Sequence, residues 1–332
     1  MKNFSETKNK ITGECFYLED KKDAQKIAAL LKLPLKILDF EKEYGKYVID
    51  PMFKSYAKGY TPNPDSLCNK IIKFPLLWKE AKKLKADYIA TGHYIKKIYN
   101  KKTKQYQLKI PKDKAKDQSY FLYELTQFDL KHCLFPIHNI TKAEVRKIAK
   151  KHNFPNYNKK STRGICFVGK TNMKGFLQSK IAQKKGKIID TKGNIIGEHN
   201  GIMFYTIGER VKDKEMWINN IYRNKMKKKI YVAGKNKRKN ELIVAPENHL
   251  SLYKNQFLIK KVNWIGKKPK MPLTCKVRIR HLGKLEQAII RKAKNEKKIV
   301  CILGKAIKGI ADGQSAVIYK NNIVLGGGEI RF

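Results

Sequence analysis

No apolar run in this 332-residue chain approaches the ~20 residues that a helix needs to cross a bilayer. The opening Met1-Lys2-Asn3-Phe4-Ser5-Glu6 has no apolar stretch of the kind a secretory leader carries, so a cytoplasmic protein without membrane contact is expected. Paired cysteines are missing too. The six cysteines stand singly at 15, 68, 133, 166, 275 and 301, with no CxxC pair and no Cys/His cluster. That speaks against structural zinc, against an iron–sulfur cluster and against a secreted disulfide scaffold. Arginine is scarce: of 74 basic residues nine are arginine and the other 65 lysine, against only 28 acidic residues. A formal charge of +46 points to nucleic acid as partner. The surplus of Lys, Asn, Ile and Tyr also fits an AT-rich coding sequence, so drift is a second source of the same charge. No internal repeat is evident.

What is present is enough for a folded protein of two or three domains: 42% apolar and 10% aromatic residues. Ala24, Ile27, Ala28, Leu30 and Leu31 recur at helical spacing between Lys21 and Leu33, and Leu35–Phe40 reads as a strand. A second helix is predicted over Ile71–Leu84. A buried strand over Ala86–Thr91 then stops at Gly92-His93. This alternation is that of a parallel α/β sheet, whose ligands gather beyond the carboxyl ends of the strands. Residues 141–152 form another amphipathic helix, with Ala143, Val145, Ile148 and Ala149 inward. Beyond Gly169 the texture turns to short strands. Gly186–Asp190 and Asn194–Gly197 form a hairpin. Thr274–His281 alternates, with Cys275, Val277 and Ile279 on one face and Lys276, Arg278 and Arg280 on the other; a small β-barrel is predicted at the C-terminus. The expected division is 1–168, 169–243 and 244–332.

Several short motifs follow one another in order. They are Asn63-Pro64-Asp65-Ser66-Leu67-Cys68-Asn69, Ala90-Thr91-Gly92-His93-Tyr94, Lys116-Asp117-Gln118-Ser119-Tyr120, Gly164-Ile165-Cys166-Phe167-Val168, Tyr205-Thr206-Ile207-Gly208 and Gly313-Gln314-Ser315-Ala316. In this order they resemble the tRNA-specific 2-thiouridylases. The resemblance implies an α/β N-terminal domain of PP-loop, Rossmann-like type, then a small central β-rich domain and a C-terminal β-barrel that contacts tRNA.

It implies, too, a reaction: ATP-dependent 2-thiolation of the wobble uridine of tRNAs for Lys, Glu and Gln, giving 2-thiouridine, AMP and pyrophosphate. Sulfur would come as a cysteine persulfide from a cysteine desulfurase or sulfur-relay protein, with ATP used as its Mg2+ complex and neither zinc nor an iron–sulfur cluster involved. By the same resemblance Cys166 carries the persulfide, and Cys68 attacks it, leaving a transient Cys68–Cys166 disulfide. The bland alternative for either is a small buried hydrophobe, the reading kept for Cys15, Cys133, Cys275 and Cys301. Asn63, Pro64 and Asp65 would hold the flipped target base, Asp65 acting as general base, orienting the uridine or simply capping a turn. Met1 and Gly92 fall at ATP contacts, and His93, Lys116, Asp117, Gln118, Arg278, Ile279 and Gln314 at tRNA contacts.

The chain departs from that pattern in three places. Ile279 stands where the family has tyrosine, which removes a stacking surface. Thr162-Arg163 precede Gly164 where an acidic residue is common. The SGGxDS loop that cradles ATP phosphates occurs nowhere in the sequence, so an N-terminal domain without its first strands is expected, binding ATP poorly unless an upstream segment supplies the loop. Two readings stand beside the enzyme: a tRNA-binding relic, and a persulfide carrier that relies on another chain for adenylation.

Overall fold

The structure, a computed structural model, describes residues 1–2, 16–159, 173–211, 217–218, 229–293 and 298–332. Four strands lie in the first part: β1 (Ile89–Ala90), β2 (Lys96–Asn100), β3 (Gln105–Lys109) and β4 (Cys133–Leu134). β1 and β4 pair in parallel, Ile89 opposite Cys133, and helices Phe16–Leu30, Phe74–Lys83 and Lys142–Lys151 accompany them. The last begins with a capping box: Thr141 accepts from the Glu144 N–H, and the Glu144 carboxylate accepts from the Thr141 N–H.

Two expectations need correcting here. Leu35–Phe40 is extended but forms no strand; only Asp39 bridges, in parallel, to Lys2, and Leu35 and Ile37 are exposed. The strand at 86–91 shrinks to Ile89–Ala90. Of its residues only Ile89 is buried, Tyr88 and Ala90 facing solvent, because among the described residues only β4 pairs with β1.

Two π-helical turns, Gly45–Ile49 and Asn69–Lys73, interrupt helices, and each is followed by a proline, Pro51 and Pro75. Proline has no N–H to give the carbonyl four residues back, and its ring crowds that carbonyl. Widening the preceding turn to i→i−5 bonding, as Asp50 N–H to Gly45 and Phe74 N–H to Asn69, keeps the helix continuous. The chain from Pro64 to Lys83 is therefore one helical rod with a wide turn in its middle.

The middle module is a five-stranded sheet of β5 (Gly186–Ile189), β6 (Ile195–His199), β7 (Trp217–Ile218), β8 (Ile230–Asn236) and β9 (Glu241–Pro246), in the order β7-β6-β5-β9-β8. The predicted hairpin is β5–β6, closed by Asp190, whose Oδ1 accepts from the N–H groups of Lys192 and Asn194. The sheet continues to Pro246.

Six strands form the last module: β10 (Tyr253–Trp264), β11 (Leu273–Arg278), β12 (Glu286–Lys292), β13 (Ile299–Lys308), β14 (Ser315–Lys320) and β15 (Ile323–Arg331). Their order is β10-β13-β12-β11-β14-β15, and β15 pairs back to β10, closing a barrel. Phe257, Ile259, Val277, Ile290, Cys301 and Ile318 fill it. The sheet does not end there. β15 also pairs with β3 at Ile323–Lys109 and Val324–Leu108, so the β2–β3 hairpin of the first part joins the barrel's sheet.

Candidate functional site

The loop entering the Pro64–Lys83 rod is set by two residue types. Pro64 occupies the first helical turn, where its missing N–H costs nothing. Asn63 is the N-cap: its Oδ1 accepts from the Ser66 N–H at 3.3 Å, while its Nδ2 donates to Ser315 Oγ in the barrel at 3.1 Å. Asp65 is half-buried in the first turn, and Cys68 is buried among Tyr44, Val48 and Ile72. Just beyond it, Asn69 Nδ2 donates to the Phe121 carbonyl at 3.2 Å, tying the rod to the segment after Lys116-Asp117-Gln118.

Further along the rod, Lys73 reaches a cleft of about 470 Å³ at the carboxyl end of β1, lined also by Met1, Ala90, Thr91, Gly92, His93 and Gln118. His93 is buried in its wall, stacked on Phe74 with centroids 5.7 Å apart. Its Nε2 lies 3.4 Å from Lys73 Nζ and its Nδ1 2.9 Å from Thr91 Oγ1. The Lys73 ammonium can only donate, so Nε2 accepts and Nδ1–H donates to Thr91, which selects one neutral tautomer. Burial, with Lys73 adding to it, pushes the His93 pKa down to about 3. His93, expected as a tRNA contact, lines the cleft as a buried residue whose ring holds Lys73. Gln118 Oε1 accepts from the Tyr94 N–H at 2.9 Å, which fixes the side chain at the cleft edge.

The cleft also permits a test of nucleotide fit. A side chain at Gly92 would meet nothing within 4 Å, so the backbone is open to a flat base or sugar. For phosphate, Lys73 is the one cationic side chain among the lining residues. The described residues thus suit the nucleoside end. Among the described residues no group of three His, Cys, Asp or Glu is placed to hold a metal ion.

Two barrel positions expected at tRNA contacts, Arg278 and Ile279, are buried. Arg278 is not on a solvated row: its Nη1 lies 2.6 Å from Asp117 Oδ2, both side chains are buried, and the guanidinium lies over the Tyr319 ring. The α/β part covers this face of the barrel, which turns an outward arginine into an internal ion pair. Ile279 is 3% exposed and packs in the barrel core, while its carbonyl accepts from Tyr120 OH at 3.2 Å. Gln314 lies at the turn before β14, its Oε1 buried and without a partner among the described residues. Lys116 is half-exposed beside Asp117.

The structure therefore gathers Asn63, Pro64, Asp65 and Cys68 with the Gln314-Ser315 turn, and Met1, Gly92, His93 and Gln118 around the cleft. Cys166, and with it the Cys68–Cys166 pair, lies outside the described residues. Three contributors went unassigned by motif reading alone. Lys73 sits in the same Ile72-Lys73-Phe74 run as the cysteine motif, five residues beyond Cys68. Ser315 belongs to the Gly-Gln-Ser turn. His281, exposed, lies against Phe121 with ring centroids 4.4 Å apart, two residues beyond the isoleucine that replaces an aromatic.

Comparison with known proteins agrees with the three-part architecture. A family described as tRNA methyl transferase HUP domain matches residues 1–170, a tRNA methyl transferase PRC-barrel domain matches 174–246, and an aminomethyltransferase beta-barrel domain matches 254–330. A tRNA-specific 2-thiouridylase MnmA from Ruthia magnifica is 39% identical over 332 residues, covering 100% of this chain and 89% of its own. The protein of that name from Blochmanniella floridana is 44% identical over 319 residues, 95% of this chain and 85% of the relative. Another, from Mycoplasma capricolum, is 40% identical over 346 residues, 99% and 90%. At such identity over nearly the whole length, the chain belongs to the tRNA-specific 2-thiouridylase family.

Proposed function

We propose that this chain is a tRNA-uridine 2-sulfurtransferase of the cytoplasm, which replaces the C2 oxygen of the wobble uridine by sulfur at the expense of ATP. The observation that carries the reading is the capped start of the Pro64–Lys83 rod. It holds Asn63, Pro64 and Asp65 at a junction of α/β unit and barrel, with Cys68 one turn inside. The names of the relatives supply the substrate class.

A C2 oxygen is no leaving group until it is adenylated; the oxygen attacks the α-phosphorus of MgATP and pyrophosphate departs. The sulfur arrives as a persulfide on Cys166. The Cys68 thiolate attacks the inner sulfur of that persulfide, the S–S bond breaks, and hydrosulfide leaves as a Cys68–Cys166 disulfide forms. Hydrosulfide adds to C2, AMP is expelled, and the proton of the new thiocarbonyl goes to solvent or to Asp65. A thiol reductant then reopens the disulfide. Asp65 sits half-buried at the rod's first turn, near enough to the cap to orient the uridine N3–H. Lys73, held by His93, offers the cleft a fixed positive charge. The tRNA set proposed is that for Lys, Glu and Gln, with a desulfurase or relay protein as donor.

The test is incorporation of labelled sulfur into tRNA by the full chain, supplied with MgATP, a cysteine desulfurase and labelled cysteine, read as 2-thiouridine after nuclease digestion. ATP-dependent product that disappears in Cys68→Ser and Cys166→Ser supports the reading. Tight tRNA binding with no product from any donor would leave the RNA-binding relic in its place.

A further inference from the structure

We infer that Ser315 is a positioning residue for sulfur transfer: its hydroxyl, on the first residue of β14, holds the side-chain amide of Asn63 and thereby the helix start that bears Asp65 and Cys68. The inference rests on the reading of that helix start as the reacting site.

Ser315 is 2% exposed, and its Oγ has two neighbours, Asn63 Nδ2 at 3.1 Å and Tyr123 OH at 3.2 Å. An amide NH₂ can only donate, so Oγ accepts from Asn63, and its own hydrogen is free to point at the Tyr123 oxygen. The Ser315 carbonyl is held as well: the single Tyr120 O–H is shared between it, at 3.0 Å, and the carbonyl of Ile279 just past β11, at 3.2 Å. The hydroxyl is thus fixed by the barrel and two tyrosines of the α/β part before it meets Asn63. A second tie acts on the same loop: the Thr61 N–H donates to the Asp312 carbonyl at 2.8 Å. Gly313 makes that approach possible, since a Cβ there would lie 3.0 Å from the Thr61 nitrogen and oxygen, and its φ of +91° disfavours any other residue.

Both ends of the Asn63 amide are engaged by this arrangement. One end of its amide caps the helix through Ser66, and the other end is locked on Ser315. Without the hydroxyl the Nδ2 end loses its anchor, the amide can rotate, and the cap weakens with it. Ser315 touches no reacting atom; it acts through Asn63.

The experiment compares Ser315→Ala, Asn63→Ala, the double variant and Tyr123→Phe in the full chain. Alkylation by iodoacetamide is followed cysteine by cysteine by mass spectrometry, with Cys133, Cys275 and Cys301, all buried, as internal references. In parallel, tRNA affinity and the single-turnover rate of 2-thiouridine formation are measured. Ser315→Ala is expected to speed Cys68 alkylation about five- to tenfold, the loss of one buried hydrogen bond opening the loop locally. The three reference cysteines stay within about twofold, as does tRNA affinity, while turnover slows by about fivefold or more. Asn63→Ala speeds Cys68 alkylation in the same way, and the double variant adds nothing to that acceleration, as expected of two residues in one bond. Tyr123→Phe leaves Cys68 alkylation as in the parent.

Unchanged Cys68 reactivity in Ser315→Ala, acceleration of all four cysteines together, or full additivity of the two alanine variants overturns the inference. Should the parent make no 2-thiouridine while the alkylation pattern appears as described, the functional reading fails, and Ser315 stands as an anchor of the Asn63 loop with no part in sulfur transfer.

Discussion

Changing Asp117 to asparagine tests how the barrel is attached to the α/β part. Asp117 and Arg278 lie 2.6 Å apart with side chains 1% and 9% exposed, and the Arg278 Nε has no partner of its own among the described residues. Asp117→Asn removes the counter-charge and leaves a guanidinium in a dry site. Breaking a buried pair in this way costs about 3–5 kcal/mol, more than the pair itself contributes. For a protein of this size such a loss corresponds to a fall in melting temperature of roughly 10 °C. The double change Asp117→Leu with Arg278→Met removes both charges and should recover most of it.

The same pair of variants asks whether Arg278 meets phosphate. Each neutralised phosphate contributes a slope of about −0.7 to −0.9 in log affinity for tRNA against log salt. If Arg278 is spent on Asp117, the double variant keeps the parent slope, measured by filter binding from 50 to 300 mM salt (concentrations chosen so that ~10 Å and shorter screening lengths are spanned). A melting shift below about 2 °C for Asp117→Asn, or a slope shallower by about one unit in the double variant, would refute the argument.

Three further outcomes are expected. Cys68→Ser abolishes 2-thiouridine formation in the labelled-sulfur assay, whereas Cys133→Ser is nearly silent, because burial pushes the Cys133 thiol up to about 12 and keeps it a protonated, non-nucleophilic core group. Binding of tRNA by the parent chain weakens steeply with salt, since lysine-rich faces track phosphate; an affinity insensitive to salt would mean the charge is only compositional. The third concerns acid. His93 is neutral in the folded protein down to about 3, while an unfolded histidine takes up its proton near 6.5, so the unfolded state binds the extra proton between these values and stability falls as pH drops through that window. Between pH 6.5 and pH 5 the loss attributable to His93 is about 1.6 kcal/mol, and His93→Gln should flatten the urea-unfolding stability over this interval relative to the parent. Equal slopes for the two would contradict the buried neutral assignment.

Much of this architecture can be read from the residues in order. The alternation of Cys275, Val277 and Ile279 does mark the inner face of the barrel, and the helix expected over 141–152 is there as Lys142–Lys151. What alternation cannot report is what covers the other face. Arg278 falls outward by the period of two, and only the arrival of Asp117, 161 residues away in sequence, makes outward mean internal. The strand at 86–91 illustrates the converse. Its apolar residues look buried, yet burial depends on neighbours at both edges, and β1 has one among the described residues. The motif containing Asn63 and Cys68 was legible because its chemistry is local. The Ser315 anchor was not, because a serine in a turn has the same appearance whether it meets water or an amide 252 residues away.

The β2–β3 hairpin has a consequence for how the molecule can bend. Because β3 is bonded to β15, and β15 closes on β10, one continuous sheet carries the hairpin and the whole barrel. Swinging the barrel as a separate arm would require main-chain bonds between Ile323 and Lys109 to part. Among the described residues the strands of the middle sheet share no ladder with that larger one; Ile188, Val232 and Val244 of that sheet pack instead in one core with Tyr44, Val48 and Cys68. The hairpin and the barrel act as one frame, and cutting the gene between 246 and 253 would leave β3 and the Ile323–Val324 start of β15 without the ladder they share.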